Sequence, residues 1–251
     1  MIATSRGIMV PSKMQLLCYC CDEVGTSVEH VPPQCLFPEA KDLSPGKDLR
    51  RSMITVPSCE KHNLHKSGDD EYLMYVLTMN LPVNAVAEHH FSTKIWRAID
   101  RRPALINKML EKAQPALVTE PKTGELFESL QFRVDESRSY RSLELIALGL
   151  YRHHFSKNWR QKIRVLPEFM RFAEIEDVHA HNANIEFISG NADLLFSKSK
   201  HFGENAEVFS YQVWDEQGLT PTVFRMHFYG GVKVLAFFER SDSSYLPDQG
   251  F

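Results

Sequence analysis

The chain has 251 residues, 43% of them hydrophobic and 24% charged, a balance that supports at least one packed core and excludes a disordered or low-complexity polymer. Its formal net charge of −3 gives no global attraction to nucleic acid, so any polyanion surface must be local. The first residues, broken by Arg6, Pro11 and Lys13, lack a signal-peptide apolar run, and no stretch approaches the roughly 18 apolar residues that span a bilayer, so the expectation is a cytoplasmic protein with no membrane partner.

Residues 1–15 read as a weakly patterned, peripheral lead. Residues 16–80 then read as a small, turn-rich, metal-dependent unit: a cysteine knuckle, a short extended EHV segment, a long loop rich in Pro, Lys and Asp, a strand ITVPSC, and a helix from about His62. Four of the five cysteines, Cys18, Cys20, Cys21 and Cys35, cluster ahead of Cys59, which in a reducing compartment points to metal or reactive thiols rather than disulfides. Cys18 and Cys21 form a C-x2-C pair, and Cys59 and His62 form a C-x2-H pair after a long intervening loop. Two such pairs can close a tetrahedral zinc site, so Cys18, Cys21, Cys59 and His62 are the expected ligands, with Cys20 an alternative to either of the first two. Cys35, beside Leu36 and Phe37, is expected to pack as a small hydrophobe.

Just past the knuckle comes Glu29-His30-Val31-Pro32, and directly after the second pair comes Asn63. One ion pinning both segments would carry Glu29, His30 and Asn63 toward one another. A carboxylate and an amide oxygen suit a hard divalent ion such as Mg²⁺ or Mn²⁺, and an imidazole can take a proton from water. Farther along, His65 reads as solvated, and Asp69, Asp70 and Glu71 as partners for lysines.

The texts CYCC, EHVPPQCLF and VPSCEKHNLHKSGDDEYL, within residues 18–73, resemble the HNH endonuclease family, in the branch whose core reads CxxC, EHV-P-LF and VPxCxxCN. The resemblance implies a ββα-metal fold, with His30 as general base, Glu29 and Asn63 as ligands of the catalytic divalent ion, and the cysteine set as structural zinc site. It implies phosphodiester hydrolysis, in DNA first of all, leaving 5′-phosphate and 3′-hydroxyl ends. Two departures stand out: the fourth zinc position is His62 rather than cysteine, and no counterpart of the family's middle Asn occurs between Cys35 and Cys59. That second departure leaves open a catalytically impaired zinc protein that binds nucleic acid or another partner. The motif equally leaves open an RNA-directed nuclease.

Between residues 80 and 121 the pattern is helical, with Ile95, Ile99, Leu105, Met109 and Leu110 as inward positions and Pro82, Pro103 and Pro115 as breaks. Leu143, Ile146, Ala147, Leu150 and Tyr151 then form the sharpest helical stripe in the chain. Around its end Arg152, Lys157, Arg160 and Lys162, interleaved with His153, His154 and Trp159, suggest a phosphate-contacting face. The runs NIEFIS, EVFSYQVW, TVFRMHFY and GVKVLAFFE read as β-strands, with Tyr229-Gly230-Gly231 turning the last two into a hairpin, and the tail from Ser241 reads as frayed. The expected fold class is α+β: a zinc-stapled ββα module at 14–80, then an 81–251 unit with helices over about 81–180 and antiparallel strands over about 183–240. The second unit is expected to serve targeting, partner binding, regulation or self-association.

Overall fold

Strand β1 (Ser27–His30) pairs antiparallel with β2 (Thr55–Ser58), setting Glu29 opposite Val56 and His30 opposite Thr55. The chain then turns into α1 (Glu60–Leu64) and α2 (Ser67–Thr78), the ββα order read from the sequence. The computed structural model describes residues 16–64, 66–119, 123–171, 177–216 and 221–239; the lead at 1–15, His65 and the tail from Ser241 lie outside them. In the long loop between the strands two 3-10 turns, Gln34–Leu36 and Ala40–Asp42, consume backbone donors, and the Arg50 guanidinium donates twice to the Phe37 carbonyl at 3.2 and 2.9 Å. Helix α2 buries every residue from Tyr72 to Thr78, because it lies between the loop and a second helix rather than against one surface.

The next segment is helical, as expected, but jointed: α3 (Ala85–His90), a π turn (Phe91–Ile95), α4 (Trp96–Arg101) and α5 (Ala104–Leu110). Asn84 caps α3 by accepting from the Val86 and Ala87 amides, while its Nδ2 donates to Glu207 O at 2.7 Å, tying this start to the far end of the chain. Helix gives way to a hairpin, β3 (Gln114–Thr119) and β4 (Leu126–Gln131), which the sequence reading did not anticipate. Alternate residues such as Ala116 and Val118 turn inward while Leu117, 70% exposed, turns out, so period two wins after Pro115.

The stripe at Leu143–Tyr151 lies on α6 (Glu136–Phe155), begun by Asp135, whose carboxylate accepts from the Arg138 amide. Leu143, Ile146, Ala147 and Leu150 are buried, and Gly149 lets the helix approach β1's exit so closely that a Cβ there would sit 2.6 Å from Val31 Cγ2. Beyond α6 stands a four-stranded antiparallel sheet, in the order β5 (Ile163–Pro167), β8 (Val232–Phe238), β7 (Thr222–Phe228), β6 (Phe209–Trp214). The β7–β8 hairpin forms where expected, with Phe228 opposite Val232. Its turn needs glycine twice: Gly230 has φ +74°, and a Cβ on Gly231 would lie 2.0 Å from Pro82 O.

Two corrections concern the strands. Residues 184–189, NIEFIS, are not a strand but the middle of α7 (Val178–Phe196). The short window shows Ile185 and Phe187 alternating, yet the inward residues over the longer stretch are Ile185, Ala192 and Phe196, a helical spacing. Strand β5 was also unforeseen, since Pro167 closes a run too short to stand out. The sheet's two faces differ in kind. Phe224, Met226 and Phe228 meet α6 in an aromatic core with Tyr151 and Phe238, whereas Arg225 and His227 point under α7. There Arg225, 2% exposed, grips Glu168 with two bonds of 2.9 and 2.6 Å and Asp193 of α7 with a third of 2.7 Å.

One buried apolar cluster runs from Cys18 and Tyr19 through Leu73 and Leu143 to Phe228 and Phe238, so elements on either side of the expected boundary at 80/81 share a core. Tyr229 Oη donates to Leu36 O at 2.5 Å across it. No helix among the described residues is long and apolar enough to cross a membrane.

Candidate metal centre and the strand beside it

The four expected ligands converge. Their donor atoms lie within 4.8 Å of one another, with Cys21 Sγ 3.7 Å from Cys59 Sγ, and His62 Nδ1 3.2 Å from Cys59 Sγ and 3.7 Å from Cys18 Sγ. A tetrahedral zinc with bonds of about 2.3 Å to sulfur and about 2.0 Å to nitrogen sets sulfurs about 3.8 Å apart and a sulfur and a nitrogen about 3.5 Å apart. The three thiols and one imidazole therefore fit that ion, and Cys20 stands outside the set, donating its backbone N–H to Cys18 Sγ instead.

Local backbone bonds explain the convergence. The knuckle folds on itself through Cys18 N to Glu23 O (2.8 Å) and is fastened to β2 through Tyr19 N to Pro57 O (2.9 Å). Cys59 directly follows β2 and His62 stands in the first turn of α1, so the second pair is built on a strand-to-helix corner. Arg160 staples the knuckle from outside, donating to the Tyr19 and Cys21 carbonyls at 3.2 and 2.7 Å and pairing with Asp22 at 2.9 Å, and Asn158 Nδ2 donates to Cys18 O. The Cys18 thiol sits below its ordinary value: burial opposes ionisation but is outweighed by the backbone N–H groups of Cys20, Cys59 and Cys21, which favour a thiolate. Burial pushes the Cys59 thiol up to about 12, so a metal must displace its proton. Burial, then Lys61, lowers the His62 imidazole and keeps its lone pair available.

Next to this centre the structure disposes the three expected catalytic residues as follows. Asn63 follows His62 on α1, and its Nδ2 donates to Ser27 Oγ at 2.8 Å. Because side chains alternate along β1, Ser27 and Glu29 share a face, and Asn63 is thereby held against the face that carries Glu29. Glu29 is buried, and its carboxylate meets Lys66 Nζ at 2.9 Å; the same ammonium meets Asp70 Oδ2 at 3.1 Å. Burial raises the Glu29 carboxyl above its ordinary value against the opposing pull of Lys66, and raises Asp70 to about 6. The His30 side chain projects from the other face of β1, while its backbone N–H favours the Glu29 carboxylate; no side-chain hydrogen bond joins its imidazole to Glu29 or Asn63 among the described residues. Burial, then the Arg50 charge, lowers its imidazole below the ordinary value, which favours the neutral form.

Glu29 and Asn63 supply the hard oxygen donors a divalent cation takes, but an ammonium holds Glu29 in this arrangement, so such an ion would have to replace Lys66 there. Of the acids expected to complement lysines, Asp70 pairs with Lys66, at an i,i+4 spacing that is visible in the sequence, whereas Asp69 pairs with Arg138 at 2.8 Å. Between Cys35 and Cys59, Arg50 ties the loop through Phe37 O. Cys35 packs against the core as expected, its Sγ 3.5 Å from Asp70 O.

The basic group at the end of α6 divides. Arg160 is spent on the knuckle, Arg152 donates to Ser156 O at 2.7 Å, and Lys157 and Lys162 are exposed. Comparison with protein-family models, with curated proteins and with solved structures returned no match for this chain.

Proposed function

We propose that the chain is a zinc-stapled, metal-dependent endonuclease of the HNH kind, acting on DNA, with His30 as general base. The observation that carries this reading is the four-ligand cluster at the corner of a ββα unit, because it fixes β1, bearing Glu29 and His30, against α1, bearing Asn63. The cluster itself is structural: all four positions are protein ligands, leaving none open for water.

In this reading Glu29 and Asn63 hold a divalent cation, Mg²⁺ or Mn²⁺, which when bound supplies charge stabilisation for the phosphate and the departing 3′ oxygen. His30, neutral at physiological pH, accepts a proton from the attacking water at an imidazole nitrogen. The Arg50 charge nearby adds to burial in keeping it neutral. Exposed Lys157 and Lys162 are available for backbone phosphates.

A second reading has its own observation. The Lys66 bridge between Glu29 and Asp70 neutralises the carboxylate a divalent ion needs, and this favours a zinc protein that binds nucleic acid or a partner without cutting it. Plasmid nicking in Mg²⁺ or Mn²⁺ separates the two. The nuclease reading expects wild-type cleavage and a loss of at least about 10²-fold in His30→Ala, with bound zinc unchanged. DNA binding without nicking in any divalent ion would select the second reading, and His30→Ala cutting at the wild-type rate would remove His30 as the base.

A further inference from the structure

The helical segment between the metal unit and the sheet carries a cleft that the site above does not use. Lys94 of the π turn and Arg97 and Arg101 of α4 stand about one turn apart, so their side chains share a helix face. With Arg102 at the end of α4, they face Lys41 of the loop and Glu71 of α2 around a cavity of about 510 Å³. That is the size of a ligand site rather than a packing flaw.

Charge in the cleft is unbalanced. Five cations and three carboxylates line it. Of the lining carboxylates Glu39 pairs with Lys41 at 2.5 Å, while Glu71 and Asp100 remain; Arg97 pairs with Asp42, outside the lining, at 2.6 Å, and Arg101 and Arg102 have no ion pair among the described residues. Burial, then the nearby Arg50 charge, holds the Lys94 ammonium below its ordinary value against the opposing pull of Cys35, Glu39 and Asp42. On a chain of net charge −3 such a concentration is not a compositional accident of a basic protein. A concave, cation-lined surface gathers an extended anion.

The cleft also has a direction. Cys35 lines it and touches the Asp70 carbonyl, and Asp70 pairs with the Lys66 ammonium that holds Glu29. Arg50, which acts electrostatically on His30, lies 3.9 Å from the same Glu39 oxygen that faces Lys94 at 3.9 Å. The end of β1 and the cleft are therefore linked through Arg50, Glu39 and Lys94. We infer that this cleft binds the sugar-phosphate backbone of a nucleic-acid strand whose neighbouring phosphates lead toward β1, an assignment whose direction rests on the nuclease reading. DNA and RNA share the phosphodiester that the cleft recognises.

The test is fluorescence anisotropy with the zinc-loaded full chain, without added divalent ions, against one labelled sequence as duplex DNA, single-stranded DNA and single-stranded RNA over a salt series. Arg101→Ala/Arg102→Ala removes two cations that support no ion pair. It is expected to weaken binding about tenfold or more and to flatten the log Kd against log salt slope by about 1.4 on single strands and about 1.8 on duplex, two contacts at about 0.7 or 0.9 each. Arg101→Lys/Arg102→Lys should recover most of the slope, and Lys198→Ala/Lys200→Ala, away from the cleft lining, should leave it unchanged. Wild-type affinity and slope in the double alanine variant overturn the inference, whatever Lys157→Ala/Lys162→Ala does, as does binding of an acidic polypeptide in place of all three nucleic acids. Cleavage assayed in parallel keeps the two readings apart. Cleft-dependent binding with no cutting removes the nuclease and leaves the cleft; undiminished cutting by the arginine variant does the reverse.

Discussion

The metal corner and the C-terminal sheet solve the same problem, burying polar groups at the junction of two elements, by different means. At the corner, three thiols and an imidazole converge with donor atoms at the spacing of a tetrahedral ion, so what would satisfy them together is a cation. Under α7, Arg225 brings its own counter-charges in Glu168 and Asp193, and Ser189 adds a further bond to Glu168, so the sheet closes without any added group. The lesson is that the first region depends on solution composition and the second on side-chain identity alone.

The sharpest way to break that contrast is chelation. Structural zinc in small sites is worth about 10–16 kcal/mol of apparent binding free energy at neutral pH, so a strong chelator should lower the thermal midpoint by well over 10 °C. Amide hydrogen exchange should show β1, β2 and α1 losing protection before β7 and β8. Next in size, Arg225→Met leaves Glu168 buried without its partner and should cost about 3–5 kcal/mol, with zinc content unchanged, measured by denaturant unfolding. Gly149→Ala forces a methyl against Val31 where α6 crosses the ββα unit and should cost about 1–3 kcal/mol.

A further effect is pH-dependent. Burial first of all holds His90 and His227 down to about 4, below the ordinary 6.5 of an unfolded chain. Between those values the unfolded state binds more protons, so stability falls as pH drops from 6.5 toward 4; for fully buried His90 the loss by pH 5 is roughly 2 kcal/mol. Asp70, raised by burial to about 6, acts in the opposite sense and moderates the fall. A thermal midpoint that rises between pH 7 and pH 5 would contradict this assignment.

What could be read from the sequence follows from the range of the signal. The four converging residues were legible because tetrahedral coordination demands two short pairs, and C-x2-C with C-x2-H is visible at any separation. The α6 stripe and the β7–β8 hairpin were legible because periodicity and a Tyr-Gly-Gly turn are local. Residues 184–189 failed because six residues cannot separate period two from a helix whose inward positions lie seven and four apart. Arg160 looked like a phosphate contact because nothing in its neighbourhood of sequence reveals that its donors meet the Tyr19 and Cys21 carbonyls. The Lys94, Arg97 and Arg101 face was visible as spacing, but only the opposing wall from α2 and the loop makes it a cleft.

The account stands on a cation joining the knuckle to the strand-to-helix corner, and elemental analysis of the purified chain tests that most directly. It predicts about one zinc per chain in the wild type and in Cys20→Ser, and almost none in Cys59→Ser. A folded wild type free of metal, or zinc that survives in Cys59→Ser and disappears in Cys20→Ser, would contradict it.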